Sequence, residues 1–410
     1  MDTNLSATDN HHARPYGVGL AYRYVIHDAI AHFRDHFDLL EISTADYIVR
    51  ERLIRGDPDK ELLREALDML PCVAHGLSLS IGSVRQPDNA YLDATREFLI
   101  ENRLAVFSDH LAFHAIDDID LGVFLSMPFE EVSIEWLKRA YYHARRAIGR
   151  PFALENVTYY FPVPHGSLDE AEFLNRLTQE TDCTLLLDAT NVFNNAENHG
   201  YDPIAFLDRI PLDRVSQIHL AGGHLTKDGL WEDSHSARVM EPVWPLFEEI
   251  VRRTKAEIVI LERDSNFQEF EGVVDDVLRA REIFGKYRSP RPEGSDRSFA
   301  GPGDVAAQDP SAPEFAQLRT FQHALMARLT DRHFRGQFDD DPVTACARSF
   351  GSDFDPAWVQ RLADCDSGAI RRVASSWDGT QRHRERTQVE YENDEWAAWA
   401  EQIESEPSPA

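Results

Sequence analysis

Three imidazoles and a carboxylate fall inside one short stretch, Ile218 to His235, which reads IHLAGGHLTKDGLWEDSH. An apolar run ends on His219, Gly222 and Gly223 turn the chain, His224 follows, and a polar loop leads to Asp233 and His235. Neutral imidazole together with carboxylate is a donor set for iron, manganese or zinc. A solvated loop that happens to hold histidines would read the same, so the rest of the chain has to decide.

The same types recur at or near the ends of most of the chain's apolar runs. Eight such runs can be counted, at 17–20, 39–42, 72–79, 105–107, 152–154, 184–187, 215–220 and 258–261. The second ends in Glu41 and the third carries His75. The fourth leads into Ser108-Asp109-His110, the fifth into Glu155-Asn156 and the sixth into Asp188 and Asn191. The seventh gives His219, and the eighth gives Glu262-Arg263-Asp264. The candidate ligands are therefore His75, His110, Glu155, Asp188, His219, His224, Asp233, His235 and Glu262. One ion needs three or four protein ligands, so this set fits two or three ions bridged by carboxylates, with Glu155 as the bridge. Glu155, Asp188 and His110 are read as catalytic, and Asn156 and Asn191 as orienting ligands or binding substrate. Asp109 follows the opposite face of its strand from His110 and is read as supporting the rim. The candidates include no cysteine, which argues against a structural zinc site or an iron–sulfur cluster.

Residues scattered this widely need a fold that gathers them. Between most of the runs lie helical patterns. Leu62, Leu63, Ala66, Leu67 and Leu70 share one face, and Leu137, Ala140, Tyr141, Ala144 and Ile148 share another. Strands alternating with helices predict an α/β fold, a TIM-type (β/α)8 barrel over 15–287, in which all C-terminal strand ends meet at one rim. An open doubly wound sheet is the alternative; the repeated polar endings favour the barrel. Residues 1–14 read as a disordered N-terminus and 288–312 as a Pro/Gly-rich linker. The stripe Phe315, Leu318, Phe321, Leu325, Leu329 opens a small C-terminal helical module at 313–380, and 381–410 reads as an acidic tail.

Composition narrows the function. Acidic residues outnumber Lys and Arg 71 to 42, for a net charge of -29, which disfavours a nucleic-acid partner. No apolar run approaches the length of a membrane span, and the N-terminus has no signal-peptide core. Four cysteines without CxxC spacing fit a reducing, cytoplasmic setting. The ligand set leaves several chemistries open. They are O2-dependent oxidation at iron, hydrolysis or isomerisation at zinc or manganese of the xylose-isomerase or endonuclease IV type, and a non-catalytic binding barrel.

The order GVGLAYR, HGLSLSIGS, SDHLAF, LENVTYY, LLLDATNVFNNAENHGYD, IHLAGG, DSH and LERD, spread over residues 15–285, resembles the multinuclear non-haem iron-dependent oxidase family. The resemblance implies a TIM-type barrel with two or three irons in mixed Fe(II)/Fe(III) state, O2 as co-substrate, and modification of a ribosomally made precursor peptide. Cysteine is the common target, with aspartate as the other. It places the family's metal ligands on His75, His110, Glu155, Asp188, His219, Asp233, His235 and Glu262. Many relatives read HLAGH; here Gly223 holds that place and His224 stands one residue late. Many also work with a separate partner that presents the leader peptide, a task that the 313–380 module could perform in cis.

Overall fold

The computed structural model describes residues 15–48, 60–117, 119–164, 166–227, 229–289, 305–351 and 354–374. The expectations for 1–14, for 381–410 and for most of the 288–312 segment lie outside these residues. Eight parallel strands close into a barrel: β1 (Gly17–Tyr22), β2 (Leu40–Ser43), β3 (Cys72–Gly76), β4 (Phe107–His110), β7 (Ala153–Glu155), β8 (Thr184–Asp188), β9 (Val215–Ala221) and β12 (Ile258–Glu262). Each overlaps one of the eight apolar runs, the fourth only at Phe107. β1 pairs with β12 in register Gly17 to Ile258, which closes the cylinder and excludes the open sheet.

Helices form the outer layer because their apolar residues recur on one face. The helix Glu131–Ile148 buries Trp136, Leu137, Ala140, Tyr141, Ala144 and Ile148, and stops where Gly149 takes φ 85°. Asp169 and Glu172 form a reciprocal capping box at the start of the helix Glu170–Glu180. No helix among the described residues is long and apolar enough to cross a membrane.

Two small antiparallel hairpins, unread in the sequence, decorate the rim. β5 (Phe113–Ile116) pairs with β6 (Ile119–Leu125) just after β4, and β10 (His224–Leu225) pairs with β11 (Trp231–Glu232) just after β9. The glycines before the second hairpin act by close approach. A Cβ on Gly222 would overlap the Ala237 and Arg238 carbonyls, while the left-handed residue of that loop is Gly229, at φ 79°.

Beyond the barrel, the helices Ala316–Thr330, Arg332–Asp340, Pro342–Phe350 and Pro356–Asp364 follow, with 367–374 helical as well. Leu318, Phe321, Leu325 and Leu329 are buried as their spacing implied. These helices share the barrel's apolar core. Polar contacts pin them. Fully buried Gln322 accepts from the Val84 amide at 2.8 Å and donates to the Gly82 carbonyl at 2.7 Å. Arg361 bonds the Pro164 carbonyl and pairs with Glu130 at 2.7 Å.

Candidate metal centre

The C-terminal strand ends bring the expected side chains together at one mouth. Register does much of this. Glu155 on β7 lies opposite His110 on β4, and Asp188 on β8 lies opposite His219 on β9. Ligand atoms converge into three groups: Glu41, His75 and His219; His75, His110 and Glu155; and Glu155, Asp188, His219 and Glu262.

Each imidazole is held by one ring nitrogen from outside and turns the other inward. His75 Nδ1–H donates to Ser108 Oγ at 2.9 Å, leaving Nε2 3.3 Å from Glu155 Oε2. His110 Nδ1–H donates to the Gly76 carbonyl at 3.2 Å, leaving Nε2 3.6 Å from the same oxygen. His219 Nε2–H donates to Glu41 at 2.9 Å, so Nδ1 faces Glu155 Oε1 at 3.3 Å and Glu262 Oε2 at 3.2 Å. His235 Nδ1–H donates to Asp264 at 3.0 Å, and its Nε2 sits 2.8 Å from Asp233 without the alignment of a hydrogen bond. The two Glu155 oxygens thus face different imidazoles, the placement a bridging carboxylate requires.

Local structure fixes the carboxylates as well. Asp188 caps the helix Ala189–His199, its Oδ1 accepting from the Asn191 amide, which leaves Oδ2 for the mouth. Asn156 donates to the Asp188 carbonyl and accepts from its amide; Asn191 donates to the Asn156 carbonyl and accepts from Thr158. Both asparagines are buried and bonded within the protein beside Asp188. Asp109 is buried behind the rim and accepts from the His110 amide. Phe124 of the β5–β6 hairpin stacks on the His110 ring, centroids 3.8 Å apart, and walls that side.

His224 is not gathered in. It stands on the β10–β11 hairpin with its side chain 52% exposed, facing Glu232 at 3.3 Å and Ser234 at 3.0 Å. Asp233 and His235 lie at the outer edge of the mouth, and His235 adopts φ 49°, a strained backbone for a non-glycine residue. Asp264 holds it twice, by the ring hydrogen bond and by its own amide donating to the His235 carbonyl at 2.9 Å; Arg23 in turn pairs with Asp264 at 2.6 Å. Sequence reasoning passed over Glu41 and Asp264 as partners of the histidines. The available signal was only that both stand at or just beyond strand ends.

The electrostatics show what the cluster lacks. Burial pushes the Glu155 carboxyl up to about 8 and, helped by the Asp233 charge, Asp188 up to about 7. Burial pulls His110 down to about 3, and takes His75 well below the usual imidazole range. For His219, burial is overcome by the Glu41, Glu262 and Glu155 charges, which hold it well above that range. His75 Nε2, Glu155 Oε2, Asp188 Oδ2, His219 Nδ1, Asp233 Oδ1 and His235 Nε2 are buried without a hydrogen-bond partner. Orphaned atoms of these types, those of His75, Glu155, Asp188 and His219 within the converging groups and those of Asp233 and His235 at the edge, fit bound cations. A cation would remove the cost of burying like charges together.

Residues 17–285 match the family described as RiPP precursor modification enzyme MbnB/TglH/ChrH. A UPF0276 protein of Nitrosospira multiformis is 32% identical over 262 residues, covering 64% of this chain and 90% of that one. A UPF0276 protein of Pseudomonas aeruginosa is 31% identical over 269 residues, covering 65% of this chain and 92% of that one. Among solved structures, D-psicose 3-epimerase from Clostridium cellulolyticum is similar with TM-score 0.42 and 14% identity over 66% of this chain and 99% of that one. Endonuclease IV from Thermus thermophilus has TM-score 0.42 and 18% identity over 66% and 98%.

Proposed function

The chain belongs to the RiPP precursor modification enzyme family MbnB/TglH/ChrH, and from that premise we propose that it is an O2-dependent, multinuclear iron oxidase of a precursor-peptide side chain. Cysteine is the first candidate target and aspartate the second. The observation that supports this reading is the set of six orphaned nitrogen and oxygen atoms at the mouth. It is a donor set of hard oxygen and imidazole with no thiolate.

In this reading His75, His110 and Glu155 hold one cation, and Glu155, Asp188, His219 and Glu262 hold a second. Asp233 and His235, with Glu262 3.7 Å from His235, offer an outer place for a third. Iron bound there would supply the activation of O2 needed to take hydrogen from an unactivated side chain. The protein's own residues do the rest. Ser108, the Gly76 carbonyl, Glu41 and Asp264 fix which ring nitrogen each histidine presents. Asn156 and Asn191 lock Asp188. Phe124 shields His110 from water, while Asp233, His235 and Asp264 form the solvent-reached edge by which a peptide side chain would enter. The leader of that peptide would be held by a separate partner or by the outer side of the helices over 316–374, and the enzyme would work in the cytoplasm.

The test is to load the protein anaerobically with Fe(II), count iron per chain, and follow O2 uptake and peptide mass with the precursor peptide. Two or more irons and O2-dependent mass change are expected. Stoichiometric zinc, no anaerobic iron uptake and no O2 consumption would overturn the reading.

A further inference from the structure

The four histidines at the mouth are not backed alike. Behind His75 stands a hydroxyl, Ser108, and behind His110 a peptide carbonyl, Gly76. Behind His219 stands a carboxylate, Glu41, which is 2% exposed and lies on β2, on the opposite side of the imidazole from Glu155 and Glu262. His235 is also backed by a carboxylate, but Asp264 is 42% exposed and already paired with Arg23 at 2.6 Å. Its charge is therefore shared with a guanidinium and with solvent. Of the two carboxylates Glu41 is the buried one: burial raises its carboxyl, and the facing His219 and the Arg23 charge work against that shift and favour its ionised form.

A carboxylate that accepts the outer N–H of a ligating imidazole makes the inner nitrogen more basic and more electron-rich. That effect is largest where no water screens it. The cation place formed by Glu155, Asp188, His219 and Glu262 already carries three carboxylates, whereas the place formed by His75, His110 and Glu155 carries one. Glu41 adds to the richer side. A carboxylate oxygen of Glu41 is also close enough to His75 to fall in a third group with His219. Its hydrogen bond to His219 Nε2, however, uses Oε2 on the far side of the ring from Nδ1, the orphaned atom.

Resting on the iron reading above, we propose that Glu41 is a positioning residue that ligates no cation itself. Acting through His219, its buried charge makes the Asp188–His219–Glu262 place the one for the more highly charged ion, and leaves the His75–His110 place to the less charged ion. The structure thereby grades charge across the cluster from β3–β4 to β8–β12.

Glu41→Gln tests this because it keeps the size of the side chain and an acceptor oxygen for His219 while removing the charge. Ser108→Ala, which alters the backing of His75 without changing charge, is the comparison. Wild type and both variants are loaded with 57Fe(II) under anaerobic conditions. Iron is counted, melting temperature is recorded, and the Fe(III)/Fe(II) couples are titrated with Mössbauer detection. Glu41→Gln should keep the wild-type iron count at saturation, bind one iron about 10- to 100-fold more weakly, and move the midpoint of that one couple positive. Ser108→Ala should leave that midpoint in place. Loss of a whole iron at saturation in Glu41→Gln makes Glu41 a ligand and overturns the proposal. So does a couple that Glu41→Gln leaves unmoved, or that Ser108→Ala moves equally. The absence of any iron couple in wild type would instead sink the oxidase reading itself, so the two failures are told apart by the wild-type protein.

Discussion

Removing the cations should leave a protein whose stability falls as pH rises through neutrality. The sign follows from which state holds the protons. Burial raises Glu155 from 4.5 to about 8, Asp188 from 3.8 to about 7 and Asp109 from 3.8 to about 7. Between their ordinary and shifted values these carboxyls carry protons in the folded chain that the unfolded chain has already lost. Their contribution is fully present below the ordinary carboxylate range and is lost as pH rises through 7 to 8. His219 and His235, held well above 6.5 after their carboxylate neighbours outweigh burial, act in the same direction above pH 6.5. His75 and His110, pulled down by burial, oppose the trend only below 6.5, where the unfolded chain takes up protons that they do not.

Each proton held by the folded state alone is worth about 1.4 kcal/mol per pH unit. With Glu155 protonated over most of the interval and Asp188 and Asp109 over about half of it, raising pH from about 6.5 to about 7.5 should cost the metal-free protein on the order of 3 kcal/mol from these three carboxyls, to which His219 and His235 add in the same direction, and several degrees of melting temperature. Bound cations need Glu155 and Asp188 deprotonated, so loaded protein should show a smaller fall, the part due to Asp109 and to Glu170, which burial also raises to about 8, and loading at neutral pH should release protons. Thermal melts at both pH values, with chelator and with saturating metal, measure the first effect. Calorimetric titration in two buffers of different ionisation enthalpy measures the second. A metal-free protein that melts no lower at the higher pH, or loading without proton release, would refute the argument that these carboxyls are buried and uncompensated.

Three substitutions probe the surroundings. Gly76→Ala would place a Cβ against the Asp109 carboxylate that holds the His110 amide; it should lower the unfolding free energy by about 1–3 kcal/mol and weaken metal binding, as read by denaturation and metal titration. Gln322→Leu would orphan the Val84 amide and the Gly82 carbonyl in the interior; a loss of about 2–5 kcal/mol is expected from two buried unsatisfied groups, measured by denaturant midpoint. His224→Ala should leave the metal count per chain unchanged by elemental analysis, because that imidazole faces Glu232 and Ser234 on an exposed hairpin.

How far the sequence discloses such a centre depends on what each residue's partner is. The barrel was legible because seven of the eight strands are at least half apolar, with Phe107–His110 the exception, and because a parallel barrel puts every run's end at one rim. His75, His110, Glu155, Asp188, His219 and Glu262 could be read for the same reason: each lies within an apolar run or no more than three residues beyond its end. The hairpin of Phe113–Ile116 with Ile119–Leu125 has no place in the sequence reading although two apolar segments flank the pair Asp117-Asp118 in the sequence, since an eight-strand count already accounted for the chain. Glu41 was seen as a strand end yet not as a partner. Its role is defined by His219, 178 positions away, and no local pattern carries a contact of that separation. His224 and His235 show the converse limit. Within one loop both are a histidine near an acid, and spacing alone ranks them equally. What separates them is that the β10–β11 pairing turns one outward while Asp264, from another strand end, pins the other at φ 49° over the mouth. Gln322 is hidden for a related reason: on a helical wheel it is a polar residue beside an apolar stripe, and only the open backbone groups of the Gly82–Val84 loop make burying it favourable. Single side chains that end strands therefore announce themselves, whereas the groups that hold them, Glu41 for His219 and Asp264 for His235, become visible only once the cylinder is closed.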